Sequence, residues 1–422
     1  MSRLLYTLLI QLLAPLVFAG NLWRGFRDRS YWDRLGERLG YTRVRAVDSL
    51  WIHAVSVGEV RAAAALVRTL QRKYPQLPLI MTTATPTGAA TVLSLFGAGV
   101  QHCYLPYDLP GAVRRFIGRI QPRLAVIVET ELWPNLYREC RRRAIPLLIA
   151  SARISPRSLP RYRRLNTLIR QTLTGVHVAA QTAEDAQRFQ SLGADPAKMA
   201  VVGNIKFDLE VSEDAVRRGR ELRATQAPTR PVWIAASTHA GEEAAALTAH
   251  DKVREAFPTA LLILVPRHPQ RFAEVRQWLQ ARCRNSATRS TGQSIEAATT
   301  VFLVDTLGEL PMFYAASDLA FVGGTLVPVG GHNFLEPAAV GLPILSGPYV
   351  FNSQQVSELF FSRGAALRVG SAQELAEQTV ALFGDPAKRA SMGDSGREII
   401  ALNRGAATKL AATIEGLLTG SR

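Results

Sequence analysis

Short apolar runs that end in polar or glycine residues alternate with helix-length segments along most of the chain, and this alternation constrains the fold most tightly. Ser49-Leu-Trp-Ile-His-Ala54, Leu77 to Thr82, Gln101 to Leu105, Leu124 to Val128, Ile145 to Ala150, Val176 to Ala180 and Met199 to Val202 read as strands. Between them, Val60 to Lys73, a segment opened by Pro86-Thr-Gly88, Ala112 to Ile120 and Leu132 to Arg143 read as helices, and Thr182-Ala-Glu-Asp185 is a capping box. A polar stretch with Pro228 and Pro231 interrupts the pattern, which then restarts. The second series has strands at Val232 to Ala236, Ala260 to Val265, Thr300 to Val304, Asp318 to Val322, Leu342 to Leu345 and Ala366 to Val369. Its helices cover Gln354 to Ser362, Ala372 to Phe383 and Arg397 to Leu418. Strands alternating with helices give parallel sheets covered on both faces. The expectation is an α/β protein with two doubly wound domains facing across a cleft.

The 422 residues suffice for two such domains, and an apolar content of 47% lets each bury a core. The expected boundaries are an apolar N-terminal segment over 1–23, a first domain over 24–210, a linker over 211–230, a second domain over 231–400, and a terminal helix over 401–422 that can cross back to the first domain.

Leu4 to Trp23 is nearly continuous apolar sequence of marginal length for a membrane span. A cleaved signal peptide, with Ala19-Gly20 as its small-residue site, is the rival reading. Against it, the positive charge follows the segment, at Arg24, Arg27, Arg29, Arg34 and Arg38, with Arg3 before it. The positive-inside rule places that flank and the body behind it in the cytosol. The expectation is a membrane anchor, either spanning or interfacial, with Trp23, Tyr31 and Trp32 in the headgroup zone and the arginines against anionic lipid.

The net charge of +16 comes almost wholly from arginine; the lysines are Lys73, Lys198, Lys206, Lys252, Lys388 and Lys409. Such a balance suits an anionic membrane or a phosphorylated substrate, though arginine-rich composition also arises from genomic bias. No nucleic-acid motif is present, so nucleic acid is not an expected partner. Cys103, Cys140 and Cys283 are widely spaced, without CxxC or zinc spacing, which argues against a disulfide framework.

The chemically distinctive residues gather where apolar runs end: Glu59, Glu129, Glu131, Lys206, Ser237, Thr238, Arg267, His268, Asp305, Glu309, Asn333 and Glu336. In a doubly wound sheet the carboxyl ends of the strands face one crevice, so the interdomain cleft is the expected active site. The densest cluster is Val322-Gly-Gly-Thr-Leu326 followed by Gly330-Gly-His-Asn-Phe-Leu-Glu-Pro337. Strand, glycine loop and a helix expected from Asn333 to Val340 make a place where backbone N–H groups can meet a phosphate. A tight turn with a capped helix is the plainer reading. Ser237 and Thr238 are expected to open another helix at the same edge. His268 and His332 are conceivable metal ligands, but no third ligand stands at suitable spacing, and no metal is expected. His53 lies in an apolar strand, as a structural histidine does.

Six ordered segments carry a resemblance to a known family: His53-Ala-Val-Ser-Val-Gly-Glu59, Thr85-Pro-Thr-Gly88, Leu105-Pro-Tyr-Asp-Leu-Pro110, Glu129-Thr-Glu-Leu-Trp-Pro134, Leu264-Val-Pro-Arg-His268 and Gly330-Gly-His-Asn333. The chain resembles the 3-deoxy-D-manno-octulosonic acid (Kdo) transferases. The resemblance implies a GT-B fold of two Rossmann-like domains and an inverting glycosyltransferase. It also implies CMP-Kdo as donor, a lipid A precursor (lipid IVA) as acceptor, no cofactor, and a cytoplasmic active site at the inner membrane. It further implies Glu59 as general base and Glu129 and Lys206 as transition-state stabilisers. CMP contacts are implied at Pro266, Arg267, Leu307, Gly308, Glu309, Asn333, Phe334, Leu335 and Glu336. The helix start at Glu59 would lower its pKa and burial would raise it; the sequence leaves that balance open. Acceptor phosphates are expected near Arg24 to Arg38, with Arg61, Arg153, Arg157, Arg161, Arg163 and Arg164 as further candidates on charge alone. A UDP-sugar transferase of the same fold, or a non-catalytic membrane-bound nucleotide-sugar or lipid-binding protein, is the alternative.

Overall fold

The structure, a computed structural model, describes residues 2–283 and 285–420, with the main chain alone at residue 27. Residues 1, 421 and 422 of the expected terminal segments, and the side chain of Arg27 in the expected basic flank, lie outside the described residues.

The chain forms two compact units. The first comprises Met1–Leu209 with Asn403–Arg422, the second Glu210–Leu402. The first is built on a seven-stranded sheet: β1 (Ser49–His53), β2 (Leu79–Thr83), β3 (Gln101–Tyr104), β4 (Pro122–Val128), β5 (Leu147–Ala152), β6 (His177–Ala180) and β7 (Met199–Val201). Their order is β3-β2-β1-β4-β5-β6-β7, with every pair parallel. Both faces are covered. Leu50, Ile52, Leu124, Val126 and Val128 point into one core, and Trp51, Ala125 and Ile127 into the other. Such strands read as continuous apolar runs because each side of the pleat is dry.

The second unit repeats the plan with β8 (Val232–Thr238), β9 (Leu261–Pro266), β10 (Ser286–Thr288), β11 (Val301–Leu303), β12 (Leu319–Val322), β13 (Ile344–Ser346) and β14 (Ala366–Arg368). The order is β10-β11-β9-β8-β12-β13-β14, again all parallel. In each sheet the first strand is flanked by connections running in opposite directions, so a switch point lies between β1 and β4 and another between β8 and β12. Crevices at such points are where doubly wound sheets bind ligands.

Several expectations change. The segment after β1 is helical from Val57 to Ala62 and from Ala64 to Lys73, with a turn at Ala63. The long terminal helix expected over Arg397 to Leu418 is two helices, Pro386–Asn403 and Ala406–Thr419. Gly405, at φ 102°, breaks them in a conformation open to glycine. The second of these helices returns to the first unit, where Ala406, Leu410, Ile414 and Leu418 enter the core beside Leu66, Val67 and Leu70. Residues of the expected linker form the helix Glu213–Gln226, in which Gly219 packs closely on the Met312 carbonyl of the second unit.

Candidate active site

In the first unit the switch point holds three carboxylates and one ammonium. Glu59 stands in the first turn of helix Val57–Ala62, and its Oε2 accepts from the Val55 amide at 2.6 Å. Glu129 follows β4 with φ 60°, a left-handed conformation that costs a non-glycine residue energy. Its own amide donates to the Ala150 carbonyl, so the strained residue is tied to β5.

Lys206 comes from beyond the far edge strand and reaches this place through a chain of local devices. Register shifts in β5 between Ala150 and Ala152, where Ser151 has φ 53°. The Ser151 hydroxyl then accepts from the Ile205 amide at 3.2 Å, and Asn204 caps Lys206 at 3.0 Å. The turn Ile205–Asp208 is thereby folded back over β5, and Lys206 Nζ meets Glu129 Oε1 at 2.5 Å. From the other side, Asp208 accepts from the Gly405 and Ala407 amides at 2.6 and 2.7 Å and pins the turn to the last helix.

Burial and the nearby Glu129 push the Glu59 carboxyl up to about 7, against the bond from Val55 and the charge of Lys206. Desolvation is the largest of these effects, and the direction is upward. Glu131, which had no assigned role, is likewise raised to about 7, chiefly by burial. His53 is buried, its Nδ1 within 2.9 Å of Thr82 Oγ1, and burial lowers it to about 4. It is a neutral structural histidine, as its strand position suggested.

The second unit's switch point differs from the expectation for a glycine loop. The amides of Gly324, Thr325 and Leu326 do converge, but on a protein carboxylate. Glu242 accepts from them at 2.6, 2.9 and 2.9 Å and from the His239 amide at 2.9 Å, and is fully buried. Gly323 is required here because a Cβ would stand 2.6 Å from the Ser237 carbonyl and 2.9 Å from Glu242. The nest is thus filled from within. Glu242 itself was hidden in the sequence as an ordinary first-turn acid of helix Glu242–Ala256.

Ser237 and Thr238 end β8 and do not open that helix. Thr238 is buried, with its hydroxyl donating to Glu243 at 3.0 Å. The Arg267 amide donates to the Thr238 carbonyl, which sets Pro266 and Arg267 beside the same edge. There three histidines meet: His239 and His332 are stacked with Nε2 atoms 2.8 Å apart, and His268 lies edge-on to His239. Burial, then the positive charge of Arg267, lowers His332 to about 3. Among the described residues no group of three or more His, Cys, Asp or Glu is arranged to hold a metal ion.

The helix after the glycine loop is Leu335–Ala339, shorter than expected, because Asn333 and Phe334 precede it. Asn333 Oδ1 accepts from the Leu335 amide and its Nδ2 faces Glu336 at 3.3 Å. The Phe334 and Leu335 side chains are core, with Phe334 edge-on to Phe360 and Phe361. Leu307 is exposed and Gly308 has φ 84°. Glu309 is held by Arg289 at 2.7 Å and Thr306 at 2.5 Å, which, with Arg289 leading, keeps its carboxyl below the ordinary range. Arg289 had escaped the sequence reading.

The basic flank is partly absorbed by the first unit. Arg38 is buried, donating to the Ala84 carbonyl at 2.6 Å, and Arg34 bonds His102. Arg38 is therefore not presented to lipid as expected, whereas Arg24, Arg29 and Arg34 are exposed. Among the described residues one helix, over Arg3–Phe26, is long and apolar enough to cross a membrane.

Residues 33–209 match the family model described as 3-Deoxy-D-manno-octulosonic-acid transferase (kdotransferase). A Haemophilus influenzae 3-deoxy-D-manno-octulosonic acid transferase is 40% identical over 417 residues, covering 97% of each chain. The chain belongs to the Kdo transferase family. A second member, from Bordetella pertussis, is 38% identical and covers 99% of this chain and 100% of its own. The protein is therefore a glycosyltransferase that transfers Kdo. Its two-sheet GT-B architecture is shared with a glycosyltransferase from Rickettsia africae, at TM-score 0.56 and 13% identity over 88% of this chain and 99% of that one. It is shared also with a UDP-GlcNAc 2-epimerase from Neisseria meningitidis, at TM-score 0.53 and 14% identity over 84% and 98%. At such identities the likeness concerns the fold alone.

Proposed function

We propose that this transferase moves Kdo from CMP-Kdo onto a lipid A precursor, lipid IVA, with inversion, at the cytoplasmic face of the inner membrane. The observation that carries the mechanism is the Glu59 carboxyl, raised to about 7 beside the Glu129–Lys206 ion pair. A base poised near neutrality takes a proton most effectively. An acceptor hydroxyl attacks the anomeric carbon, its proton passes to Glu59, and the bond from that carbon to the CMP phosphate oxygen breaks. Glu129 offsets positive charge on the oxocarbenium-like sugar, and Lys206 offsets charge on the departing phosphate. CMP is held by Pro266 and Arg267, by Leu307, Gly308 and Glu309, and by Asn333, Phe334, Leu335 and Glu336. Since Phe334 and Leu335 bury their side chains, their share in binding is through the main chain. Arg267 brings a guanidinium fork to phosphate, and no metal is required for the chemistry.

The test is single-turnover transfer from CMP-Kdo to tetraacylated lipid A precursor, for wild type and Glu59→Gln, with and without chelator. Expected is transfer by wild type that resists chelator and falls about 10²- to 10⁴-fold in the variant. Undiminished transfer by a folded Glu59→Gln protein would return Glu59 to a structural role. Transfer from a UDP-sugar in place of CMP-Kdo would overturn the donor.

A further inference from the structure

The N-terminal helix Arg3–Arg27 lies along the first unit instead of standing away from it. Arg3, Tyr6, Thr7, Ile10, Ala14, Phe18, Asn21 and Gly25 are the covered positions, a stripe at helical spacing that runs the whole length. Polar bonds fasten both ends: Tyr6 to Asp108 at 3.0 Å and Thr7 to Asn135 at 3.0 Å near the start, and Asn21 to Tyr107 at 2.6 Å near the end. The outer face is apolar and open, with Leu4, Leu8, Leu12, Leu16, Trp23 and Phe26 between 59 and 77% exposed. A helix fastened to its body over roughly 36 Å offers a bilayer one face. That is the geometry of an interfacial helix, sunk about 5–10 Å into the headgroup and acyl boundary.

At the start of this helix is a cavity of about 200 Å³ lined by Arg3, Pro134, Arg138, Arg141, Leu168, Gln171 and Thr172. Three guanidiniums line it and no carboxylate does. Arg138 and Arg141 belong to the helix Pro134–Arg142, whose acid Glu139 is already taken by Arg142 and Arg143 at 2.8 and 2.7 Å. Arg3 donates to Asn135 at 3.2 Å and Arg141 to the Gln171 carbonyl at 2.7 Å, so both are held in place. The Arg138 guanidinium makes no hydrogen bond or ion pair among the described residues. Burial and the charge of Arg138 together push Arg141 below its ordinary value, a sign of positive potential left uncompensated.

We infer that the Arg3–Arg138–Arg141 cavity binds the phosphate of an anionic membrane lipid, beside a helix that lies in the bilayer interface and does not cross it. Guanidiniums suit phosphate because their forked donors match its oxygens. The interfacial helix brings the lipid headgroups to the level of Arg3, so the phosphate need not leave the membrane surface. The inference rests on the membrane part of the proposed function and is independent of the sugar chemistry.

The experiment is co-sedimentation of the full chain with phosphatidylcholine vesicles, with and without phosphatidylglycerol, for wild type, Arg138→Ala and Arg72→Ala. Arg72 is exposed on the same unit outside the cavity and controls for net charge. Expected is a roughly fivefold loss of binding to the phosphatidylglycerol vesicles in Arg138→Ala, with Arg72→Ala unchanged and binding to pure phosphatidylcholine equal in all three. Equal losses in both variants would reduce the effect to diffuse surface charge and overturn the site. No loss in either would overturn it too. Thermal protection of wild type by inorganic phosphate, abolished in Arg138→Ala while its vesicle binding stays intact, would make the cavity a soluble-anion site and overturn the lipid assignment. Failure of wild type to bind any vesicle would instead sink the membrane reading as a whole.

Discussion

Lys206 Nζ stands 2.5 Å from Glu129 Oε1, and both groups act on Glu59 with opposite sign: Glu129 raises its pKa and Lys206 lowers it. If Glu59 is the base, the acidic limb of the kcat/KM profile falls near pH 7 and reports its ionisation. Glu129→Gln removes a raising charge and moves that limb to lower pH. Lys206→Met removes a lowering charge and moves it to higher pH, by less, because the Glu129 effect is the larger. Both variants lose rate at the plateau. Limbs moving the same way in the two variants would contradict the arrangement.

The same carboxyl makes stability depend on pH. Its pKa rises from 4.5 to about 7 on folding, so the folded protein holds that proton more tightly than the unfolded chain. The associated stability is fully present below about pH 4.5 and is lost as pH climbs through 7. Glu131 behaves in the same direction over the same window. Glu59→Gln removes the titration and is expected to be more stable than wild type at pH 8, by at most about 3 kcal/mol, and equal to it at pH 4. Glu59 and Glu131 both sense Glu129, so their effects will not add. Thermal unfolding at the two pH values checks this.

Much of this architecture was legible because a doubly wound sheet announces itself twice, through apolar runs buried on both sides and through polar residues at their carboxyl ends. Leu124 to Val128 and Val232 to Ala236 are such runs, and Glu129 and Ser237 follow them. β10 was not legible: Ser286-Ala-Thr288 is an edge strand of three residues with no apolar run to mark it. The helices Leu159–Arg164 and Asn166–Leu173 were likewise missed. What the sequence hides most is partnership. The glycines of the 323–331 loop are visible, but whether their amides await a ligand or already hold Glu242 depends on a residue more than eighty positions away. Lys206 could be singled out by its rarity, yet its approach to Glu129 depends on a bulge at Ser151 that no local pattern marks.

Glu242 gives a direct test of that closed nest. Its two oxygens accept four main-chain N–H bonds, from His239, Gly324, Thr325 and Leu326. Glu242→Ala leaves those buried donors without an acceptor and is expected to cost about 3–5 kcal/mol, the range for breaking a buried charged network. Glu242→Gln restores some acceptor capacity but turns an NH₂ toward two of the donors, so it recovers little. Hydrogen exchange at Gly324 to Leu326 should accelerate in both variants. Unchanged protection there would mean that the loop holds its shape without the carboxylate.

Asp208 ties the last helix to the turn that presents Lys206, accepting from the Gly405 and Ala407 amides. The helix Ala406–Thr419 has Gly405 at its cap position and no side-chain cap of its own, so Asp208 supplies the missing acceptor across a long stretch of sequence. Loss of a capping acceptor costs about 0.5–2 kcal/mol. Asp208→Ala should therefore lower stability by that amount in denaturant titrations. Its effect should reach the active site as well, because the turn Ile205–Asp208 then keeps the Ser151 bond to β5 and its own Asn204 cap but loses its tie to the last helix. On the proposed mechanism, in which Lys206 offsets charge on the departing phosphate and CMP is held by residues of the second unit, a small displacement of Lys206 should lower kcat and leave CMP binding unchanged. Asp208→Asn keeps an acceptor oxygen at the helix start and should recover most of the stability. If Asp208→Ala lost stability but kept full kcat, the turn would hold Lys206 without help from the last helix.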